Sequence, residues 1–301
     1  MSETAYAAKP SLPDRAFNAL NSVFLGIFFI AVLYPIVYVV SASFSDPSEL
    51  VAGNVYLLPV NPTIEGYIAT FQYKMIWSGF YNSFLYMIAG TAINLVMTVL
   101  AAYPLSRKDF VGRNLIMFAF SFTMWFTGGL IPQYLLTRDL GILYTRWAML
   151  LPGAMSVYNM IIMRTYFQTT IPDELYNAAR IDGCGNTRFL LVVALPLSGA
   201  ILAVIGLFYA ISHWNSYFSA FIYLSDRKLL PLQIVLREII LMNQADEMLA
   251  GFDLRDAEKR RYMGELLKYS TIVVSCLPVM AFYLLAQRFF VKGVMIGAIK
   301  G

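Results

Sequence analysis

Few side chains of this 301-residue chain could take part in covalent or metal chemistry. It has one histidine, His213, and two cysteines, Cys184 and Cys276, whereas a structural zinc site takes about four such ligands. The phosphate loop G-x-x-x-x-G-K-[ST], the zinc motif H-E-x-x-H and the nucleophile motif G-x-S-x-G do not occur in the sequence. We therefore predict no catalytic residue, no metal and no cofactor on this chain. Any ATP and Mg would have to be bound by another polypeptide.

A long polar stretch interrupts the apolar segments from Thr170 to Pro196, and its residues have the pattern of two helices joined by a glycine turn. Thr170 is a candidate N-cap, so a short helix is predicted to begin there. It should stop at Gly183, since a residue without Cβ adopts the left-handed conformation that ends helices. A second helix is predicted to start at Asn186 or Thr187. The first helix would carry a small apolar face formed by Leu175, Ala178 and Ala179.

The elements around this stretch are predicted from composition. Hydrophobic residues make up 59% of the chain and charged residues 13%, and the mean hydropathy is +0.63, values typical of an integral membrane protein. A spanning helix needs about 20 apolar residues, and the charge-free windows predict a single all-α domain, residues 1–301, with six transmembrane helices. Their approximate bounds are 17–41, 79–104, 114–134, 146–165, 190–213 and 267–288.

Orientation follows from the lysines and arginines of the short loops, which concentrate on the cytoplasmic side of a membrane. The basic segments are the N-terminal tail with Lys9 and Arg15, the second loop with Arg107, Lys108 and Arg113, the fourth loop with Arg164, Arg180 and Arg188, and the C-terminal tail. We therefore predict a multi-pass protein with both termini in the cytoplasm, and the stretch from Thr170 to Pro196 on the same side. The net charge of +4 is modest and gives no indication of nucleic-acid binding.

The charge-free windows behind these six spans are 16–45, 75–106, 114–137, 147–163, 189–225 and 269–287, so charged residues fall only at the ends of the predicted spans. Ionisable groups inside a membrane usually mark proton or ion pathways. The absence of charges from these windows therefore argues against an ion-coupled carrier and favours transport that is driven by a protein outside the bilayer. A secondary carrier or channel that uses no ATP is the alternative, because broken helices can bind sodium through backbone groups alone.

The polar stretch also resembles a known motif. Asn177-Ala178-Ala179, Asp182-Gly183 and Leu195-Pro196 reproduce the spacing of the cytoplasmic EAA loop of ABC importer permeases, with Asn177 where glutamate is usual. The resemblance implies an ABC type I importer permease fold in which residues 170–190 form a coupling helix that docks on a separate ATPase. The positions that it assigns to this coupling are Glu174, Asn177, Ala178, Ala179, Arg180, Asp182, Gly183 and Arg188.

Three further segments extend the resemblance over the chain. RTYFQTTIPDELYNAARIDGCGN, GLIPQYLLTRDLGIL and HWNSYFSAFIYL are similar to the carbohydrate branch of these permeases, in particular those of oligosaccharide and polysaccharide importers, including alginate importers. The resemblance implies import of a sugar polymer across the bacterial inner membrane. It also implies a heterodimer with a homologous permease subunit, two ATPase subunits and an extracytoplasmic solute-binding protein, in contact with membrane lipid.

Two more groups of residues have open interpretations. Lys292, Gly293 and Lys300 lie in a basic tail that either rests on lipid headgroups or, by resemblance, contacts the ATPase subunits. Aromatic faces with amide and hydroxyl groups suit sugars, but they also form interfacial belts and interhelical hydrogen bonds. We expect Tyr223 to belong to such a belt. The candidates for a substrate path are Asn82, Ser83, His213, Trp214, Asn215 and Tyr217.

Overall fold

The structure is a computed structural model that describes residues 11–249, 262, 264–265, 267–284 and 287. Throughout this part of the chain the regular elements are helices, which confirms the all-α prediction. In chain order they are α1 (Leu12–Ser43), α2 (Pro47–Val51), α3 (Glu65–Gln72), α4 (Lys74–Ser106), α5 (Arg113–Trp125), α6 (Leu130–Asp139), α7 (Trp147–Leu150), α8 (Val157–Thr170), α9 (Asp173–Ile181), α10 (Asn186–Phe189), a π-helical turn (Leu190–Ala194), α11 (Leu195–Leu197), α12 (Gly199–Trp214), α13 (Tyr217–Tyr223), a 3-10 turn (Arg227–Leu229), α14 (Leu232–Leu249) and α15 (Leu267–Leu284).

Among the described residues, three helices are long and apolar enough to cross a membrane: α1, α4 and α15. They coincide with the predicted spans 17–41, 79–104 and 267–288, although residues 285, 286 and 288 lie outside the description. The predicted spans 114–134 and 190–213 fall on pairs of helices bent by 114° and 83°. Up to five spans result if each bent pair counts as one.

The predicted span 146–165 is not one helix. α7 ends at Leu150, residues 151–156 are irregular, and α8 starts at Val157. Pro152 and Gly153 lie in this interruption, where proline cannot donate a helical hydrogen bond and glycine weakens a helix. The count of six spans stays a prediction.

The chain divides into two compact units. One comprises the described residues of 11–70 and 242–273. Within it the Thr70 hydroxyl lies 2.7 Å from that of Ser270, and the rings of Tyr38 and Tyr269 meet edge to face with centroids 6.0 Å apart. Polar pairs of this kind join helices in lipid.

The second unit comprises residues 71–241 and the described residues from 274 onward. Its core forms where α4, α8 and α12 meet, around Tyr103, Met163, Phe167, Ile205 and Tyr209. The polar stretch belongs to this unit, and both Tyr176 of α9 and Phe189 of α10 are buried in the same core.

The prediction of Thr170 as an N-cap is wrong. Thr170 is the last residue of α8, and Ile171 is extended with φ −101° and ψ 107°. The cause is Pro172, because a residue before proline is driven out of the helical region. α9 therefore starts at Asp173, and Pro172 occupies the N-cap.

The predicted end of α9 at Gly183 is confirmed. Gly183 has φ +77°, and the N–H groups of Gly183 and Cys184 donate to the carbonyls of Arg180 and Ala179 at 3.0 and 2.8 Å. The predicted restart at Asn186 is also found. Glycine closes the helix here because its φ is unfavourable for residues with Cβ.

We expect Gly183→Val to lower substrate-stimulated ATP hydrolysis of the assembled transporter by about tenfold, because a left-handed conformation costs about 1–2 kcal/mol for such residues. A Cβ at this position would meet nothing within 4 Å, so backbone strain alone is tested. Gly183→Asn is the matched control, since asparagine tolerates this conformation better, and it should keep most of the activity. Equal loss in both variants, or in neither, would contradict the expectation.

Candidate functional site

Helix α9 is anchored to the second unit through Tyr176. This side chain is 4% exposed, and its ring meets that of Phe189 edge to face at 5.3 Å. The guanidinium carbon of Arg107 lies 3.5 Å from the centre of the Tyr176 ring, which is a close cation–π contact. Tyr176 therefore packs α9 between α10 and the segment that follows α4.

The hydroxyl of Tyr176 extends this anchor. It donates to Asn186 Oδ1 at 2.7 Å, and Asp109 Oδ2 lies 3.2 Å away. The same oxygen thus joins α9, the start of α10 and the loop after α4. A displacement of α9 would be passed to both neighbours, because the three segments share one buried side chain.

A second link lies at the N-terminus of α9. Lys108 Nζ donates to Asp173 Oδ2 at 2.7 Å, and Arg107 Nη1 is 3.9 Å from Asp173 Oδ1. The hydrogen bond from Lys108, together with the positive charges of Lys108 and Arg107, lowers the pKa of the Asp173 carboxyl. The carboxylate also stands at the positive end of the α9 dipole, which favours the ionised form.

The pKa shift predicts how this link depends on pH. Because the pKa of Asp173 is lower in the folded protein, the contribution of the pair is complete above the ordinary carboxyl pKa of about 4 and is lost as the pH falls through the folded pKa. We expect Asp173→Asn to reduce coupled transport by less than about threefold between pH 6 and 8, since exposed ion pairs are weak. Transport assays across that range test this, and a steep pH dependence of the wild type that Asp173→Asn removes would contradict it.

The outward face of α9, which is the face turned away from the core of the second unit, presents apolar residues to the solvent. Leu175 is 44% exposed and Ile181 is 87% exposed, and Ala178 between them is exposed as well. Ala179, predicted to share their face, instead points inward and packs on the core. The remaining predicted coupling residues are exposed around this strip: Glu174, Asn177, Arg180, Asp182, Gly183 and Arg188. A polar rim around an apolar strip is the usual composition of a protein interface.

Sequence reasoning missed the residues that hold α9. The sequence does contain one signal for Tyr176. It lies three positions before Ala179, and a helix brings residues with this spacing to the same face, here the face that packs on the core. Lys108 and Asp173 are 65 residues apart, and neither residue type indicates a pairing over that distance.

A cavity of about 480 Å³ lies within the second unit. Its polar lining consists of amide, hydroxyl and imidazole groups, and none of its lining residues is Asp, Glu, Lys or Arg. The polar and aromatic residues that line it are Asn94, Gln133, Ser156, Tyr209, Ser212, His213, Asn215, Ser216, Phe218, Ser219 and Tyr223. Neutral donors and acceptors beside aromatic rings are suited to sugar hydroxyls.

Of the six residues predicted to line a substrate path, His213 and Asn215 line this cavity. Trp214 is buried instead, with its ring 5.2 Å from that of Phe84. Tyr217 stacks on Phe221 at 6.2 Å. Tyr223, which was expected in an interfacial belt, is buried and lines the cavity.

Asn82 and Ser83 do not line the cavity either, and both are engaged in hydrogen bonds, including one from Arg146 Nη2 to Asn82 Oδ1 at 3.1 Å. Asn82 Nδ2 donates to the carbonyls of Lys228 and Leu230 at 2.7 and 3.1 Å, and the N–H of Leu232 donates to Ser83 Oγ at 2.9 Å. These bonds fasten residues 228–232 to α4, in line with the hydrogen-bonding alternative. The tail residues Lys292, Gly293 and Lys300 lie outside the described residues.

The class of protein follows from comparison with known proteins. No family model matches the chain. Curated relatives that match 91–96% of the chain at 25–35% identity are permease proteins of transport or uptake systems for saccharides. The chain belongs to the family of ABC sugar-transporter permeases, whose members are transport proteins rather than enzymes.

Particular relatives are closely similar. The polygalacturonan/rhamnogalacturonan transport system permease protein YtcP of Bacillus subtilis is 35% identical over 96% of this chain and 100% of its own length. Protein LplC of the same organism is 35% identical over 95% of this chain and 96% of its own. Among solved structures, a chain of a bacterial ABC transporter involved in the import of the acidic polysaccharide alginate superposes with a TM-score of 0.85 and 36% identity, covering 94% of this chain and 100% of that one.

Proposed function

We propose that this chain is a permease subunit of an ATP-driven, binding-protein-dependent importer of oligo- or polysaccharide, with acidic polymers such as polyuronates as the substrate class. In this proposal the chain pairs with a homologous permease in the bacterial inner membrane, above two ATPase subunits that bind ATP and Mg. An extracytoplasmic solute-binding protein delivers the sugar.

The observation that carries the coupling role is the outward face of α9. Leu175 and Ile181 are exposed there although they are apolar, while Tyr176 on the inward side is buried and shared with α10 and the 107–109 loop. An apolar strip on a rigidly held helix is suited to a groove on a partner, and movement of that partner would be passed to the membrane helices. Glu174, Asn177, Arg180, Asp182 and Arg188 would form the polar rim of the contact.

Support for the substrate class comes from two directions. One relative belongs to a transport system for polygalacturonan and rhamnogalacturonan, and a solved neighbour belongs to a transporter involved in alginate import. Polygalacturonan and alginate are both polymers of uronic acids. The cavity of the chain presents the amides, hydroxyls and aromatic rings that bind sugars. His213 and Asn215 would contact the substrate there.

Uptake by the complete transporter in proteoliposomes tests this proposal. We expect ATP-dependent uptake of oligogalacturonate or alginate oligosaccharides in the presence of the binding protein, and little uptake of a neutral oligosaccharide of the same length. Uptake that follows a proton gradient without ATP would contradict the mechanism. ATP-dependent uptake of the neutral sugar alone would contradict the substrate class.

A further inference from the structure

His213 is held by a hydrogen-bonded asparagine on the neighbouring helix. Nε2 of His213 lies 2.6 Å from Oδ1 of Asn94, a side chain of α4 that is 1% exposed. Nδ2 of Asn94 donates to the carbonyl of Gly153 at 2.5 Å. Gly153 lies in the irregular segment 151–156, so the asparagine connects α12 to a carbonyl that no helix satisfies.

The bond to Gly153 decides which atom of Asn94 faces the histidine. A carbonyl oxygen can only accept, so the asparagine must turn its NH₂ group toward Gly153 and its oxygen toward His213. That oxygen in turn accepts only from a protonated nitrogen. Nε2 of His213 therefore carries the proton, and in a neutral ring Nδ1 holds the lone pair.

The bond to Asn94 also fixes which way the ring faces, because turning the ring over would exchange Nε2 with Cε1 and Nδ1 with Cδ2 and would break that bond. A Cβ at Gly90 would clash with the Nε2, Cε1 and Cδ2 atoms of His213, so this edge of the ring lies directly against the α4 backbone. Gly90 is what allows this approach. Nδ1 belongs to the opposite part of the ring, and none of the described residues forms a hydrogen bond with it.

We infer that Nδ1 of His213 is the hydrogen-bond acceptor for a hydroxyl group of the transported sugar, and that Asn94 is the positioning residue that fixes it in this role. The inference rests on the proposed function, because it assigns the cavity to sugar. His213 lines that cavity beside Asn215 and Ser212.

A pure acceptor has a consequence for the orientation of an acidic sugar. Carboxylate oxygens also only accept, so a uronate group cannot bond to a neutral Nδ1. The hydroxyl-bearing edge of the sugar ring must face α12, and its carboxylate must point away. The same atom that binds the substrate thus orients it.

The matched variants are His213→Gln and Asn94→Leu. The amide nitrogen of glutamine is placed like Nε2 and still donates to Asn94, but the side chain lacks an acceptor in the place of Nδ1. We expect His213→Gln to weaken binding of trigalacturonate to the purified transporter complex by about five- to tenfold, the effect of one lost hydrogen bond. Assembly of the complex, followed by size-exclusion chromatography, should be unchanged.

Nitrogen NMR of the histidine-labelled complex at pH 8 supplies the direct readout. At this pH an ordinary imidazole is neutral, and the chain has a single histidine, so signals lost in the His213→Gln complex belong to it. In the wild-type complex we expect the resonance of an unprotonated Nδ1, and we expect this resonance to shift when trigalacturonate is added. In Asn94→Leu we expect a mixture of the two tautomers. A protonated Nδ1, or a bare Nδ1 that does not move while the sugar binds, would overturn the inference and leave the proposed function intact. A complex that binds no saccharide would overturn both.

Discussion

Replacing Tyr176 by alanine is expected to lower coupled sugar uptake and substrate-stimulated ATP hydrolysis by about 100-fold or more. The side chain is buried against Phe189 and under the guanidinium of Arg107, and truncating a buried aromatic residue costs about 3–5 kcal/mol. α9 has nine residues, too few to be a stable helix by itself, so loss of this anchor should release it. Uptake and ATP hydrolysis by the reconstituted transporter measure the effect.

Tyr176→Phe is the matched control. It keeps the ring and its contact with Arg107 while removing the bonds to Asn186 and Asp109. A hydrogen bond contributes about 0.5–1.5 kcal/mol, so we expect a loss of about two- to tenfold. Near-normal coupling in Tyr176→Ala would show that α9 is held by other contacts.

The second large effect is expected at the outward face of α9. Ile181→Glu places a charge on a side chain that is 87% exposed, so folding of the permease should be unaffected. If the face is buried against an ATPase subunit, the unpaired charge should weaken association by about 30-fold or more, as expected at the centre of an interface. Co-purification of the ATPase with the permease measures this association.

Val111→Glu provides the comparison for Ile181→Glu. Val111 is 92% exposed and lies in the loop between α4 and α5, outside the α9 strip. The ATPase should therefore co-purify normally with this variant. Equal losses in both variants would mean that any added negative charge on this side of the chain disturbs assembly, and that α9 has no special role.

The sequence predicts those features that depend on nearby residues. The sequence predicts α1, α4 and α15 because a helix that crosses the bilayer needs about 20 predominantly apolar residues. Gly183 was found because a left-handed helix end strongly favours glycine. The predicted start of α9 at Thr170 is wrong because Pro172 holds Ile171 in an extended conformation, which separates Thr170 from α9.

The features that the sequence did not predict depend on distant partners. Asn82 is a predicted substrate-path residue, yet its amide donates to carbonyl groups 146 and 148 residues further along the chain. Tyr217 and Tyr223 lie on one short helix with the same aromatic character, and only its packing shows that Tyr223 lines the cavity. Likewise the role of Asn94 depends on Gly153 and His213, which lie 59 and 119 residues further along the chain.

Site-specific crosslinking from Ile181 tests the coupling role of α9 most directly. A photoreactive residue at position 181 of the assembled transporter, in membrane nanodiscs, should crosslink to the ATPase subunit, and one at the buried position 176 should crosslink within the permease. The yield at 181 should change when ATP is added, because α9 is expected to move together with the ATPase subunit. Crosslinks from 181 to lipid or to the permease alone, with none to the ATPase, would contradict the assignment of α9 as the coupling helix.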